Sequence, residues 1–184
     1  TSGKLSGNVE TFSGDGRRGI RCRSNLAGLE GTVDGKRVAL SEPLNAEADI
    51  TSDGTEINFD KLDVSASFAK ISCSGNSCLL NCVADVDLAK FQNELGQFVN
   101  TGPYKLAGSF TAKTQVSVKE DKIAAAGTSS VKEFRLTSTD GSSAYEPAAD
   151  LSFNTVVDRK GNFLDIDSLN LAASFGNIGT KSAV

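Results

Sequence analysis

Three groups of residues in this chain have types and spacings that could do chemistry: paired strand carboxylates, a cluster of arginines and four cysteines. Asp60 and Asp63, and again Asp165 and Asp167, put acids close together in segments of alternating polarity. Two carboxylates on one strand face are the minimum equipment for glycoside hydrolysis, but such a pair works only where its surroundings hold the two pKa values apart. Leu164, Ile166 and Leu169 take the apolar positions around Asp165 and Asp167, so these acids are expected to face water, where nothing separates them. The chain contains no His, which removes Ser-His-Asp and Cys-His relays and every His-ligated metal site. No catalytic residue is assigned, and an enzyme is not expected.

Arg17, Arg18, Arg21 and Arg23 follow Gly14-Asp15-Gly16. Guanidinium groups so clustered could hold a phosphate headgroup or an anionic polysaccharide through bidentate contacts. The competing reading is solvated charge that keeps an edge strand soluble. Gly14 to Gly19 lacks the Lys-Ser/Thr ending of a phosphate-binding loop and reads as a plain loop.

Cys22, Cys73, Cys78 and Cys82 lack the paired CxxC steps of a zinc site, and no stretch has the spaced acid pattern of a calcium loop. Neither a metal nor a cofactor is expected. Cys73 and Cys78 flank Ser74-Gly75-Asn76-Ser77, a turn-like stretch. A Cys73–Cys78 bridge across a hairpin is therefore one candidate, and free half-buried thiols are the other.

The elements that must position these groups are strands. In Leu44 to Thr51, Leu62 to Phe68 and Leu106 to Val118, apolar and polar residues alternate with period two, the mark of a sheet with one face shielded and the other wet. Shorter runs fall at Val33 to Leu40, Ile123 to Ala125, Val131 to Leu136, Leu151 to Val157, Leu164 to Ile166 and Leu169 to Phe175. Asp34-Gly35, Asp53-Gly54, Asp140-Gly141 and Lys160-Gly161 punctuate them with hairpin chemistry, so an antiparallel meander is expected rather than parallel crossovers. One segment departs from the pattern: Asp87 to Leu95 places Leu88, Phe91 and Leu95 on one helical face behind an Asp N-cap, and Gly96 and Gly102-Pro103 end it.

With 184 residues, one domain is expected. Its 19 basic and 23 acidic residues leave a net charge of −4, which gives no general attraction to nucleic acid. The fold class is mainly β: a long, strongly twisted and curved antiparallel sheet, as an open groove or a roll, with one short amphipathic helix on it. A closed sandwich fits the same alternation.

An internal repeat is legible as well. Gly54 to Ile71 matches Gly161 to Ile178 at an offset of 107 (54 to 161), Glu42-Pro43 matches Glu146-Pro147 at 104, and Lys4 to Gly7 matches Lys105 to Gly108 at 101. Residues 1–184 thus read as one duplicated β-rich domain: repeat one about 1–76, a connector strand and helix at 77–103, and repeat two about 104–184. Leu62, Val64, Phe68, Leu106, Phe110, Leu169, Leu171 and Phe175 are the candidate apolar groove or core face. Leu88, Phe91 and Leu95 are either a plug in that groove or ordinary helix packing.

The Lys-Leu-x-Gly strand starts, Val86-Asp87-Leu88-Ala89-Lys90-Phe91 at the helix entry and Leu62 to Phe68 resemble the AsmA/TamB-type proteins of the bacterial envelope. The resemblance covers most of the chain. It implies a curved β-sheet whose apolar face carries lipid acyl chains, and a periplasmic, non-catalytic role in outer-membrane biogenesis. It also implies a membrane-anchored parent protein, with other repeats of that parent or other envelope proteins as partners. The chain opens on Thr1, contains no Met and has no apolar run near the roughly 20 residues of a membrane helix, so a segment of a longer protein is expected, with membrane association through the missing parts. An adhesive or carbohydrate-binding β-domain of a surface protein is the alternative. The absence of Trp and the presence of only two Tyr leave few flat rings for sugars.

Overall fold

The computed structural model describes residues 2–14, 16–33, 35–98, 104–161 and 163–181. Twelve strands form one antiparallel sheet. They are β1 (Ser2–Gly14), β2 (Arg17–Val33), β3 (Lys36–Ala39), β4 (Leu44–Ser52), β5 (Ile57–Ser65), β6 (Ala69–Asn76) and β7 (Leu79–Asp87), then β8 (Lys105–Lys119), β9 (Lys122–Thr137), β10 (Ser143–Asp158), β11 (Phe163–Ala173) and β12 (Gly176–Lys181). A single helix, α1 (Leu88–Leu95), separates β7 from β8. The strands lie side by side in chain order. β3 and β4 share one lane against β2: β3 pairs with Glu30 to Val33, β4 with Arg18 to Leu26. The sheet is open, with β1 and β12 at its two edges. Eleven lanes at strand spacing make it about 48 Å wide.

Alternation is what holds this arrangement in register, because a slip of one residue would turn every apolar side chain to the wet side. Following register partners across the lanes, Val9, Cys22, Ala48, Leu62, Cys73, Cys82, Thr114, Gly127, Phe153 and Leu169 form one row on one face. The neighbouring row on the same face runs Ser24, Ala46, Val64, Ile71, Ala84, Ala112, Ser129, Leu151 and Leu171. Residues between them, such as Arg23, Glu47, Asp63, Lys113 and Asn170, stand on the opposite face. One face is mainly apolar along these rows, with Ser24, Thr114 and Ser129 among its smaller polar members, and the other is mainly polar.

Among the described residues, no second layer covers the apolar face beyond α1 at one end. Val38 is the one hydrophobic side chain that is buried among the described residues, and Leu5, Val9, Ile20, Val64, Leu164, Ile166 and Ile178 are all more than 40 % exposed. The accessible surface is 12117 Å2, whereas a compact monomer of this mass exposes about 8,400 Å2. The closed-sandwich reading of the alternation is thus set aside: the apolar rows are not the inside of a packed core.

Helix α1 forms where the sequence signals it. The Asp87 side chain accepts from the Lys90 amide at 2.9 Å, and Gly96 closes the C-terminus by donating to the Gln92 carbonyl at 2.8 Å. The helix is tied to distant strands at that end of the sheet. Phe91 meets Phe68 edge to face with ring centres 5.6 Å apart, Glu94 accepts from the backbone and hydroxyl of Ser41, and Gln92 contacts Tyr104 and Leu106. Gly102-Pro103 lies outside the described residues.

Several expectations need correction. Gly14 to Gly19 is not a loop: it holds the end of β1, the turn and the start of β2, which runs for 17 residues. Val33 to Leu40 is not one strand, because the chain reverses between β2 and β3 with Gly35 at a φ of 76°. The runs at Ile123 and Val131 belong to one strand, β9, and those at Leu164 and Leu169 to one strand, β11. In each case a bulge or a run of Ala and Ser interrupts the alternation without breaking the ladder.

The first five lanes and the last five share a register. Cys22 faces Ala48 and Gly127 faces Phe153, an offset of 105 for both partners (22 to 127, 48 to 153); Leu62 faces Cys73 and Leu169 faces Thr180, an offset of 107 (62 to 169, 73 to 180). The irregularities follow the same offsets. Asp60 is the extra residue of β5 and Asp167 that of β11. Gly3 stands against Gly28 and Leu29, as Gly108 stands against Glu133 and Phe134. Gly28 and Glu133 have φ values of 59° and 52°. A side chain at Gly108, itself at φ 119°, would come within 2.7 Å of the Lys132 carbonyl oxygen, so this crossing admits only glycine. The match of Lys4 to Gly7 with Lys105 to Gly108 is therefore four residues out of step with the ladder, since Gly3, not Gly7, corresponds to Gly108.

Candidate functional site

On the apolar face, Leu62, Val64, Leu169 and Leu171 belong to the two shared rows, Phe110 stands in the next row between Val86 and Val131, and Leu106 lies beyond the Gly108 bulge opposite Leu136. Phe68 and Phe175 do not lie in the rows; they sit in the turns after β5 and β11. Sequence patterning missed the contribution of Cys22, Ile20, Phe59 and Ile71, whose neighbours are too mixed to advertise a strand face. Phe153 stands directly across from Gly127, and a Cβ at Gly127 would come within 3.0 Å of its ring. The ring therefore lies over bare backbone, the arrangement by which an aromatic covers a strand glycine.

The plug reading of α1 fares differently. Phe91 reaches Phe68, and α1 occupies one end of the apolar face near β3 and β8 rather than its middle. Glu94 is buried under it. Burial pushes its carboxyl up, but hydrogen bonds from Ser41 and Ser67 outweigh that and hold it below the usual glutamate range. The helix acts as a clip between the β3–β4 bend and the start of β8.

The polar face differs between the halves. In the first, Arg21 Nε donates to Asp49 Oδ1 at 2.8 Å and lies 3.9 Å from Glu10, while Arg23 Nε donates to Glu47 Oε1 at 2.8 Å. Lys61 Nζ donates to Glu47 Oε2 at 2.7 Å and stands 3.4 Å from Asp63. Hydrogen bonds from Lys61, then Arg23, bring the Glu47 carboxyl down to about 2. The Arg23 and Lys61 cations are stabilised in turn, each first by its hydrogen bond to Glu47.

The four arginines therefore do not converge on a ligand. Arg17, Arg21 and Arg23 lie on the polar face, Arg18 falls on the apolar side opposite Ser13 and Ser52, and Arg21 and Arg23 are already occupied by acids. The carboxylate pairs do not form a site either. Asp167 is the bulge residue of β11 and Asp165 lies across from Val156. Asp60 accepts from Thr51, while Asp63 sits beside Lys61.

At each corresponding position of the second half the charge is gone. Glu10, Arg21 and Arg23 become Gln115, Ala126 and Thr128; Glu47 and Asp49 become Ser152 and Asn154; Lys61 and Asp63 become Ser168 and Asn170. Matching troughs lie on this face. That of the first half, about 540 Å3, is lined by Asn8, Arg23, Glu47, Asp63 and Lys70. That of the second, about 590 Å3, is lined by the corresponding Lys113, Thr128, Ser152, Asn170 and Asn177. Among the described residues the side chains of Thr128, Ser130 and Asn177 have no protein hydrogen-bond partner.

The cysteine pairing differs from expectation. Cys73 is bonded to Cys82, not to Cys78. β6 extends to Asn76, so the turn falls at Ser77-Cys78 and the register brings Cys73 opposite Cys82. Cys78 is free and exposed, and Cys22 is free and half-buried. The bridge lies on the apolar face and fastens the last strand of the first half to β7.

No protein-family profile, no curated protein and no solved structure matches the chain.

Proposed function

We propose that this chain is a non-catalytic module of a bacterial cell-envelope protein of the AsmA/TamB type, whose open apolar sheet face shields lipid acyl chains. The observation that carries the reading is the mainly apolar face itself, which runs across eleven lanes and, among the described residues, is covered only by a clip at one end. A soluble sheet left this way exposes far more contiguous hydrocarbon than a monomer tolerates without a use for it. Each methylene that a guest chain and the sheet remove from water contributes roughly 0.8 kcal/mol, and no reacting group is needed. The Cys73–Cys82 bridge supports an oxidising compartment such as the periplasm. The shared register and matched bulges support duplication of a five-lane unit, which is how a sheet of this kind lengthens without a new fold.

A second reading has one observation in its favour. The trough of the second half, where unpartnered hydroxyl and amide groups stand between Lys113 and Asp150, suits a polyhydroxyl ligand, as a carbohydrate-binding surface domain would require.

One experiment separates them. A fluorescent fatty acid is bound to the chain and displaced with palmitate, and the same chain is titrated with neutral oligosaccharides. The lipid reading requires saturable displacement that Leu171→Asp or Phe153→Asp weakens at least tenfold while Ser152→Ala and Asn170→Ala leave it unchanged. No displacement, or displacement that only the polar substitutions alter, would sink it. Oligosaccharide binding abolished by Asn170→Ala would establish the second reading instead.

A further inference from the structure

We infer that the troughs of the polar face are parts of one groove crossing the sheet from β1 to β12, and that this groove binds a neutral, extended polysaccharide laid across the strands. The inference rests on the carbohydrate reading of the second-half trough and carries it over the rest of the face. The trough of the first half and that of the second lie over the backbone of the same register row. That row starts at Gly7 and Ser24, passes through Val64 and Ile71, and reaches Leu171 and Ile178. Its side chains point to the apolar face, so on the polar face it is a floor of bare backbone. A third trough, about 710 Å3, fills the interval between the other two. It shares Ser65 and Lys70 with the trough of the first half and Thr111 with that of the second, and these common walls join the three.

The lining does not suit a polyanion. It carries three cations, Arg23, Lys70 and Lys113, against six acids. Four of the acids are engaged: Glu47 by Arg23 and Lys61, Asp63 by Lys61, Asp87 by the Lys90 amide and Glu133 by the Tyr145 hydroxyl. Among the described residues this leaves Lys70 across from Asp85, and Lys113 with Asp150, two unpaired charges of each sign. Polyanions gain affinity by releasing counterions to a cationic surface, and the groove has no cationic excess. Between the charges stand Ser65, Thr111, Thr128, Ser130 and Asn177, whose side chains have no protein partner among the described residues. Hydroxyls and amides both donate and accept, as the hydroxyls of a sugar do.

The repeat of the rims selects the polymer. Because the groove runs across the strands, its rim residues recur once per lane, about every 4.8 Å. A pyranose linked through opposite ends of its ring advances by nearly that step. An extended peptide presents side chains to one face only every second residue, about every 6.8 Å, and falls out of step within a few lanes. Peptides also bind sheets through the ladder groups of a strand edge, whereas the ladder groups of this floor are already paired.

Titration calorimetry of the full chain with 1,4-β-linked xylose and mannose oligomers tests the groove. A trimer fits within one trough, and a decamer must reach both halves. The decamer is expected to bind at least a hundredfold more tightly than the trimer, well beyond the gain from offering a single site several registers. Asn45→Ala in the first half and Asn170→Ala in the second should each weaken the decamer at least threefold. Thr111→Trp, which plants a large ring where the middle and second-half troughs meet, should cut the decamer's advantage below tenfold. All variants are first matched to the parent chain in β-sheet circular dichroism and melting temperature, so that loss of folding is not read as loss of binding. A decamer bound no more tightly than the trimer and indifferent to Asn45→Ala would overturn the inference, while leaving the carbohydrate reading of the second-half trough in place. No binding by any oligomer would overturn both. Alginate, a carboxylated glycan of similar shape, bound as tightly as the decamer would overturn the neutral class, and a Gly/Ser/Asn peptide of equal length bound as tightly would overturn the polysaccharide.

Discussion

The two halves of the sheet keep the same hydrogen-bond ladder and make opposite choices about charge and fastening. β1 to β6 carry an ion-pair network on the polar face, a disulfide at the last strand and a helix clipped over Phe68. β8 to β12 carry amides, hydroxyls and Ala126 at the same network positions, Thr180 in place of the bridged cysteine, and a bare Phe175. The apolar rows, by contrast, persist through both. Register is imposed by the apolar face, where a slip is costly, whereas the wet face is free to drift because exposed ion pairs and exposed hydroxyls differ little in energy.

That comparison can be broken at its largest asymmetry first. Replacing the bridge with Cys73→Ser and Cys82→Ser opens a loop closed over a sequence separation of 9 and should lower stability by about 2.7 kcal/mol on chain-entropy grounds. Urea unfolding should show the loss, and reductant should reproduce it in the parent chain but have no effect on the double variant. Next comes the pair of equivalent phenylalanines. Phe68→Ala removes a half-buried ring and the seat of Phe91, and should cost about 2 kcal/mol, while Phe175→Ala should cost less than about 0.5 kcal/mol in thermal or urea unfolding. Equal losses would mean that the two turns are packed alike in solution.

A third difference is a matter of pH. The folded pKa of Glu47 lies below its unfolded value, at about 2. Its contribution to stability is therefore complete above the ordinary glutamate range near 4.5 and disappears as pH falls from there towards 2. Amide protection, corrected for intrinsic exchange, should fall in β2, β4 and β5 over that window more than in β9, β10 and β11. The smallest effect is expected from transplanting charge. Thr128→Arg with Ser152→Glu should rebuild one rung of the network in the second half, raise stability by about 0.5 kcal/mol and lose that gain in high salt.

Much of this was legible in the residues. The alternation at Leu44 to Thr51 and Leu106 to Val118 and the Asp87 cap announced their elements because each pattern is local. The match of Gly54 to Ile71 with Gly161 to Ile178 rests on large apolar residues spaced alike in the two segments. The unread portions depend on contacts distant in sequence or on backbone irregularity. β2 was hidden because Arg17 to Arg23 carries charge on both faces, at Arg17 and Arg18, beside Gly19 that Phe12 covers from the next strand. The Cys73–Cys82 pairing is not legible in the spacing, because the partner of Cys73 is set by how far β6 runs before it turns. The four-residue slip in aligning β1 with β8 arose at Gly3 and Gly108, where a bulge shifts the ladder and similar short motifs on either side look interchangeable.

A sheet without a buried interior also changes what unfolding looks like in a calorimeter. Because so much hydrocarbon is hydrated before the chain unfolds, the heat-capacity increment should fall short of the roughly 12–15 cal/mol/K per residue of compact domains, and the stability curve should be correspondingly flat with temperature. Whatever settles on the bare face would restore the missing increment, so the curvature of the melting profile is itself a gauge of occupancy.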